Sequence, residues 1–302
     1  MEGIVVCSTG RWCDVHAGDN IYKCSLKGNL RLKGMKTTNP VAVGDRVLFD
    51  MDEKNHTGRV YEILDRKNVI IRRATNLSRQ THILAANVDL AVLIATPILP
   101  RTSTGFIDRF LITAEAYHIP SLIVFNKLDL FKQEMSIVEY YQEIYQSAGY
   151  PVLMISSTEG TNVDEFREQI TGKTILLAGH SGVGKSTLIK ALVPEIKIKI
   201  GNISEAHLKG MHTTTFARMY MLTGNTLVID TPGIKEFGVV DFEPWELGHW
   251  FREFKEFIPG CKYANCTHQH EPGCAVRQAA EAGKIHEERY SNYLGILNNI
   301  SE

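Results

Sequence analysis

The sequence predicts an α/β protein: a doubly wound domain, preceded by a small β-barrel of the OB type and followed by a helical segment with a metal-ligand cluster. Three observations point there. Residues 1–72 break into short Val-, Ile- and Tyr-rich runs separated by turn residues. Residues 73–240 alternate apolar strand-like runs with stretches of helical spacing. Residues 241–302 open with aromatic residues, gather three Cys and two His within 14 positions, and continue into a helical stretch at 275–282 and a polar terminal stretch.

A chain of 302 residues is long enough for about two domains and can hold three small ones. With 44% apolar and 22% charged residues it has the composition of a soluble globular protein. The net charge of -1 carries no global basic signature, so nucleic-acid binding has to be read locally. Met1-Glu2-Gly3-Ile4 has no basic stretch ahead of an apolar core, so no signal peptide is expected. The most apolar run, residues 90–99, contains Pro97 and is half the ~20 residues that a bilayer requires. The expectation is a cytoplasmic protein without a membrane partner.

In the N-terminal part, residues 3–7, 20–26, 41–49 and 58–64 read as strands, and turns such as Ala17-Gly18-Asp19-Asn20 and Lys27-Gly28-Asn29 separate them. About five strands in seventy residues suit a closed OB-type barrel. Up to Arg73 there are 13 Lys/Arg against 9 Asp/Glu. Lys23, Lys27, Arg31, Lys33 and Lys36 form a run without an acid between Ile21 and Gly44. Such a face, with Tyr22 nearby, suits a phosphate backbone and a stacked base. A solvated barrel surface is the plain alternative.

In the middle part, residues 88–95 form a near-continuous apolar run, as a strand buried on both faces should. Residues 107–117 carry apolar side chains at helical spacing, and residues 121–125, 151–155, 174–178 and 226–229 are further strands ending in polar or Gly-rich turns. That places ligands at the carboxyl ends of the strands.

The chemistry sits at those ends. Gly179-His180-Ser181-Gly182-Val183-Gly184-Lys185-Ser186-Thr187 matches G-x-x-x-x-G-K-[ST], with a strand before it and a helix after it. Its N–H groups and the helix N-terminus cradle phosphates, Lys185 reaches the β/γ-phosphates and Ser186 ligates Mg²⁺. Asp230-Thr231-Pro232-Gly233 follows 45 residues after Lys185, with Asp230 placed to hold Mg²⁺ through water and Gly233 to approach the γ-phosphate. Asn126-Lys127-Leu128-Asp129 is the guanine reader. The Asp129 carboxylate accepts from the ring N–H and the exocyclic amine of guanine, a donor pair that adenine lacks. Ser156-Ser157-Thr158 stands where a backbone loop should touch the same base. In the Thr-rich stretch His212-Thr213-Thr214-Thr215, Thr214 or Thr215 is expected to sense Mg²⁺ and the γ-phosphate. Ile234 occupies the position of a water-orienting residue and cannot orient water, which makes His212 a candidate to complete the site.

Six cysteines fall into two groups of three, a poor disulfide framework. Cys261, Cys266 and Cys274 with His268 have the spacing of a structural Cys₃His zinc site, and His270 is an alternative to His268.

The order of the motifs is unusual, because the guanine reader precedes the phosphate loop. Together with the flanking barrel and the Cys261–Cys274 cluster, it resembles the RsgA family, bacterial GTPases that depend on the small ribosomal subunit. The resemblance spans nearly the whole chain. It implies a circularly permuted GTPase domain at 73–240 between an OB-fold RNA-binding domain at 1–72 and a zinc-binding helical domain at 241–302. It further implies GTP and GDP as ligands, Mg²⁺, one structural Zn²⁺ on Cys261, Cys266, His268 and Cys274, and a monomer that matures the small subunit through its rRNA. Where relatives often carry Ser-Ala in the guanine loop, this chain has Ser156-Ser157. A non-catalytic, GTP-sensing RNA-binding module is the competing reading, and Ile234 is the residue that favours it.

Overall fold

The structure, a computed structural model, describes residues 1–31, 40–52, 57–73, 81–192, 217–222, 225–230 and 243–301. The first five strands are β1 (Glu2–Ser8), β2 (Trp12–Ala17), β3 (Asn20–Leu26), β4 (Arg46–Asp52) and β5 (Thr57–Ile63). They pair in the order β1-β2-β3-β5-β4, and β4 returns to β1 to close a barrel. Only β3 and β5 run parallel. Closure leaves no free edge, and the alternate residues Val5, Val15, Val47, Phe49 and Val60 fill the interior.

The strand expected at 41–49 begins only at Arg46. Val41, Ala42 and Val43 are buried, which gives the apolar run, but the backbone there turns. The Asp45 carboxylate accepts from the Ala42 N–H at 2.8 Å and from Arg66 at 2.7 and 2.8 Å. Gly44 lies at φ +92°, where a Cβ would sit 2.1 Å from the carbonyl oxygen of Ala86, so only glycine fits.

The chain continues through β6 (Val69–Arg73), β7 (Thr81–Ala86), β8 (Leu90–Ala95), α1 (Thr104–Ala116), β9 (Ser121–Phe125), α2 (Met135–Ser147) and β10 (Val152–Met154). Next come α3 (Val163–Ile170), β11 (Thr174–Ala178), α4 (Lys185–Leu192), β12 (Arg218–Met221) and β13 (Leu227–Asp230). The last helices are α5 (Ala275–Glu281) and α6 (Glu287–Ser301).

These elements divide into two compact units. The first contains residues 1–91, 164–178 and 186–234. In it β6 and β7 form an antiparallel hairpin, β11 and β13 run parallel, and β12 joins β13 to the barrel strand β1. The second contains residues 92–163, 179–185 and 235–302. There β8, β9 and β10 lie side by side, with β9 and β10 parallel, and α1 packs into one core with the C-terminal segment. Ile112 of α1 shares that core with Leu247, Phe251, Phe254 and Tyr293.

The C-terminal segment differs from the sequence expectation in two places. Its aromatic entry is not a regular helix but three short 3₁₀ turns, Leu247–Trp250, Arg252–Phe254 and Ile258–Gly260. Phe251 is extended between the first two, and Pro259 opens the third. The expected polar terminus is the 15-residue helix α6, which buries Arg289, Tyr293, Ile296 and Leu297. Among the described residues no helix is long and apolar enough to cross a membrane.

Candidate functional site

All five residues of β9 are buried, and the strand delivers Asn126 at its carboxyl end. Asn126 is 2% exposed, and its side chain joins three stretches of chain. Its Nδ2 donates to the carbonyl of Val183 at 2.9 Å. Its Oδ1 accepts from the N–H of Ser157 at 3.1 Å and from the Ser157 hydroxyl at 2.8 Å. Lys127 adopts the left-handed conformation at φ +69° and donates to the carbonyl of Leu99 at 2.9 Å. The N–H of Leu128 donates to the carbonyl of Ile155 at 3.0 Å. Asp129 accepts from the Ser156 hydroxyl at 2.6 Å, and that hydroxyl oxygen accepts from the N–H of Glu159 at 3.0 Å. The Asp129 carboxylate is thus aimed by a serine that is itself held by a turn.

The loop from Gly179 to Gly184 is shaped by two close approaches. A Cβ on Gly179 would lie 2.3 Å from the carbonyl oxygen of Ile94, and one on Gly184 would lie 2.3 Å from Nδ2 of Asn126. Val183 between them is fully buried and anchors the loop, whereas Ser181 and Gly182 are exposed. Lys185 donates to the carbonyls of Gly179 at 2.6 Å and His180 at 2.9 Å. Both bonds are charge-assisted by the ammonium, and phosphate oxygens can accept from it in the same way. Ser186 and Thr187 are exposed in the first turn of α4. The His180 ring lies 3.9 Å from that of Phe106, in the first turn of α1. Sequence reading did not single out Phe106 or Leu99; nothing in their spacing distinguishes them from core residues.

β13 runs parallel to β11 with Leu177 opposite Asp230, so Asp230 stands at a strand end, and its side chain lies outside the described residues. His212, Thr214, Thr215, Gly233 and Ile234 also lie outside them.

Cys261, Cys266, His268 and Cys274 come together with one ligand atom each, all within 4.8 Å of one another. A tetrahedral zinc ion with bonds of ~2.3 Å to sulfur and ~2.05 Å to nitrogen has S···N edges of roughly 3.6 Å. The edges to Nδ1 of His268 are 3.6 Å from Cys261 and 3.5 Å from Cys274. Burial lowers the His268 imidazole to about 4, leaving it neutral, and raises the Cys266 thiol to about 12. A dication supplies the charge that would let such thiols ionise. His270, the sequence alternative, is exposed and outside the cluster. Glu271 organises the ligand loop by accepting from the Thr267 N–H and hydroxyl and from the N–H groups of Gln269 and His270. Burial on its own would raise its carboxyl, but these bonds outweigh it and bring it to about 2. The donor set fits a structural zinc ion, with every position filled by protein.

On the barrel, β3 alternates sides. Tyr22 points inward with Cys24 and packs on Phe49, ring centroids 5.4 Å apart, so it is not the outward stacking residue expected. Lys23 points outward, and its ammonium lies 5.4 Å from the centre of the Trp12 ring. Lys27 is exposed, and Lys33 and Lys36 lie outside the described residues.

Comparison with known proteins gives a consistent outcome. Family models described as the RsgA N-terminal domain and the RsgA GTPase match residues 2–60 and 63–240. The small ribosomal subunit biogenesis GTPase RsgA 2 of Bacteroides thetaiotaomicron is 51% identical, over 100% of this chain and 98% of its own. The RsgA of Flavobacterium johnsoniae is 48% identical, over 100% and 94%. The crystal structure of YjeQ from Thermotoga maritima superposes with a TM-score of 0.79 at 34% identity, covering 99% of this chain and 98% of that one. The circularly permuted GTPase YloQ does so with 0.75 at 30%, covering 99% and 94%.

Proposed function

The chain belongs to the RsgA GTPase family and is a circularly permuted GTP hydrolase, and from that premise we propose that it acts in biogenesis of the small ribosomal subunit through its rRNA. The observation that carries the nucleotide reading is the side chain of Asn126, bonded at once to Val183 in the phosphate loop and to Ser157 in the second base loop. Those bonds hold Asn126 beside Val183 and Ser157, which supports reading the segments as the base-reading and phosphate-holding parts of one site although their order along the chain is reversed.

In this reading Asp129 selects guanine, Lys127 lies along the base, and Asn126 with Ser156 and Ser157 holds the two base loops. The N–H groups from His180 to Thr187 and the Lys185 ammonium stabilise charge developing on the phosphates as water attacks in line. Ser186 and Asp230 are the residues that would hold Mg²⁺, which when bound neutralises charge on the β- and γ-oxygens. Gly233 and Thr214 or Thr215 sense the γ-phosphate, and His212 completes the site once the particle is bound. Cys261, Cys266, His268 and Cys274 hold one structural zinc. The barrel at 1–72 and the zinc domain at 241–302 flank the GTPase at 73–240, and the protein works as a cytoplasmic monomer. A purely GTP-sensing module is not favoured, because the relatives are named GTPases.

The test is GTP turnover by the purified protein alone and with small or large subunits added separately. Strong stimulation by the small subunit only is expected. Stimulation by neither would overturn the biogenesis reading while leaving the nucleotide site in place, and stimulation by the large subunit would move the protein to that particle.

A further inference from the structure

Arg289 is a fully buried guanidinium on α6, and it meets two carboxylates. It bonds Asp108 of α1, itself 0% exposed, and forks onto Glu253 at 2.6 and 3.0 Å. Asn292, one turn on, donates to the other Asp108 oxygen at 2.8 Å. Burial on its own would lower the guanidinium's pKa, but Asp108 and Glu253 outweigh it and raise it further. A buried ion cluster of this kind contributes little net stability compared with well-packed apolar residues, and its best-attested use is to specify register between the elements that share it. Here the register is that of α6 against α1.

Two residues before Asp108, Phe106 places its ring 3.9 Å from that of His180 in the phosphate loop. The His180 carbonyl in turn accepts from the Lys185 ammonium. At the other end of the contact, α6 grips the ligand loop: Tyr290 donates to the carbonyl of His268 at 2.7 Å and Tyr293 to that of Thr267 at 2.6 Å. All of these residues belong to one compact unit.

We propose that Arg289 is a positioning residue for the nucleotide: by fixing α1 it holds Phe106 against His180 and so sets the loop that carries Lys185. The C-terminal segment then acts on the phosphate loop through a rigid helix-to-helix contact. The inference rests on the reading of Gly179–Thr187 as the nucleotide loop.

The experiment measures GDP affinity of the isolated full-length protein by calorimetry, with thermal melting in parallel. The variants are Phe106→Ala, Phe106→Tyr, Arg289→Lys and the double variant Phe106→Ala/Arg289→Lys. Phe106→Ala and Arg289→Lys are each expected to weaken GDP binding about tenfold. Phe106→Tyr, which keeps the ring, should restore wild-type affinity. The double variant should bind no more weakly than the poorer single one, because both act on the same loop. A purely structural role predicts lower melting temperatures with wild-type affinity, and that result overturns the proposal. Effects that multiply in the double variant overturn it too. If Arg289→Lys does not fold, Glu253→Gln, which loosens the same fork, takes its place under the same criteria. Wild-type protein that fails to bind GDP would remove the nucleotide reading itself, an outcome distinct from variants that bind normally.

Discussion

Asn126 donates to the carbonyl of Val183 across 2.9 Å, joining the loop at residues 126–129 to the glycine-rich loop 57 residues further along the chain. Its other amide atom accepts twice from Ser157, so one buried side chain satisfies groups in two separate loops. Asn126→Ala leaves the Val183 carbonyl and the Ser157 N–H buried and unpaired. Two orphaned groups at about 1–3 kcal/mol each cost roughly 2–6 kcal/mol, so nucleotide affinity should fall by at least ~30-fold. The loss should be equal for GDP and for a non-hydrolysable GTP analogue, because Asn126 acts on the loops and not on the γ-phosphate. Calorimetry with both ligands checks this, and a loss confined to the GTP analogue would contradict it.

In the proposed reading Asp129 carries the choice of base. With Ser156 bonded to one oxygen at 2.6 Å, the carboxylate is held in a fixed direction. Asp129→Asn replaces one acceptor with an amide donor, which repels the guanine amine but suits the C2 carbonyl of xanthine. The variant should lose GDP affinity by at least 100-fold, in line with the 10⁴–10⁵ discrimination that buried polar mismatches reach, and should gain xanthosine diphosphate. Unchanged preference for GDP would take Asp129 out of the base site.

The order of motifs and the class of each part were legible in the sequence because they rest on short contiguous signals. Gly179–Thr187 needs glycines where the backbone crowds Ile94 and Asn126, and the Cys₃His set lies within one local segment. What stayed hidden depends on distant partners. Val41–Val43 look like a strand by composition, but Gly44 at positive φ and the Asp45 carboxylate, held by Arg66 and by the Ala42 N–H, turn the chain there. α6 was masked by its asparagines and serines, although Tyr290, Tyr293, Leu297 and Ile300 do keep helical spacing. Arg289 reads as a surface charge until Asp108, 181 residues earlier, is seen against it.

The four-residue metal cluster predicts a division between two neighbouring histidines. His268→Ala removes a buried member of the cluster, whereas His270→Ala removes an exposed ring outside it. Elemental analysis should find one zinc per chain in the wild type and in His270→Ala, and much less in His268→Ala. Stripping the metal with a strong chelator should cost several kcal/mol and lower Tm on the order of 10 °C. Equal zinc content in both variants would refute the ligand set.

Glu115 gives a pH signature to the packing of α1 against the C-terminal segment. Burial on its own would raise its carboxyl, but Lys255 at 3.0 Å and Arg252 at 2.7 Å outweigh that and hold it below its ordinary 4.5. A depressed folded-state value means the contribution is present above about pH 4.5 and is lost as pH falls through the folded value. Glu115→Gln should therefore be less stable than wild type at pH 7 by about 1–2 kcal/mol, and the gap should close in acid. Urea unfolding at pH 7, 5 and 3.5 reads this directly, and a constant gap would show that the ion pairs do not carry the difference.

The outward pair Lys23 and Trp12 marks the barrel face to test for RNA. Lys23 can neutralise a phosphate and Trp12 can stack a base, which are separable effects. Lys23→Ala should weaken binding to single-stranded RNA and reduce the slope of log affinity against log salt by about 1. Trp12→Ala should weaken binding by about 1–3 kcal/mol per stacked base while leaving that slope unchanged. Tyr22→Phe, inside the barrel on Phe49, should change neither. Fluorescence anisotropy with a short rRNA-derived strand over a salt series distinguishes the three, and identical slopes for Lys23→Ala and wild type would remove this face from the RNA contact.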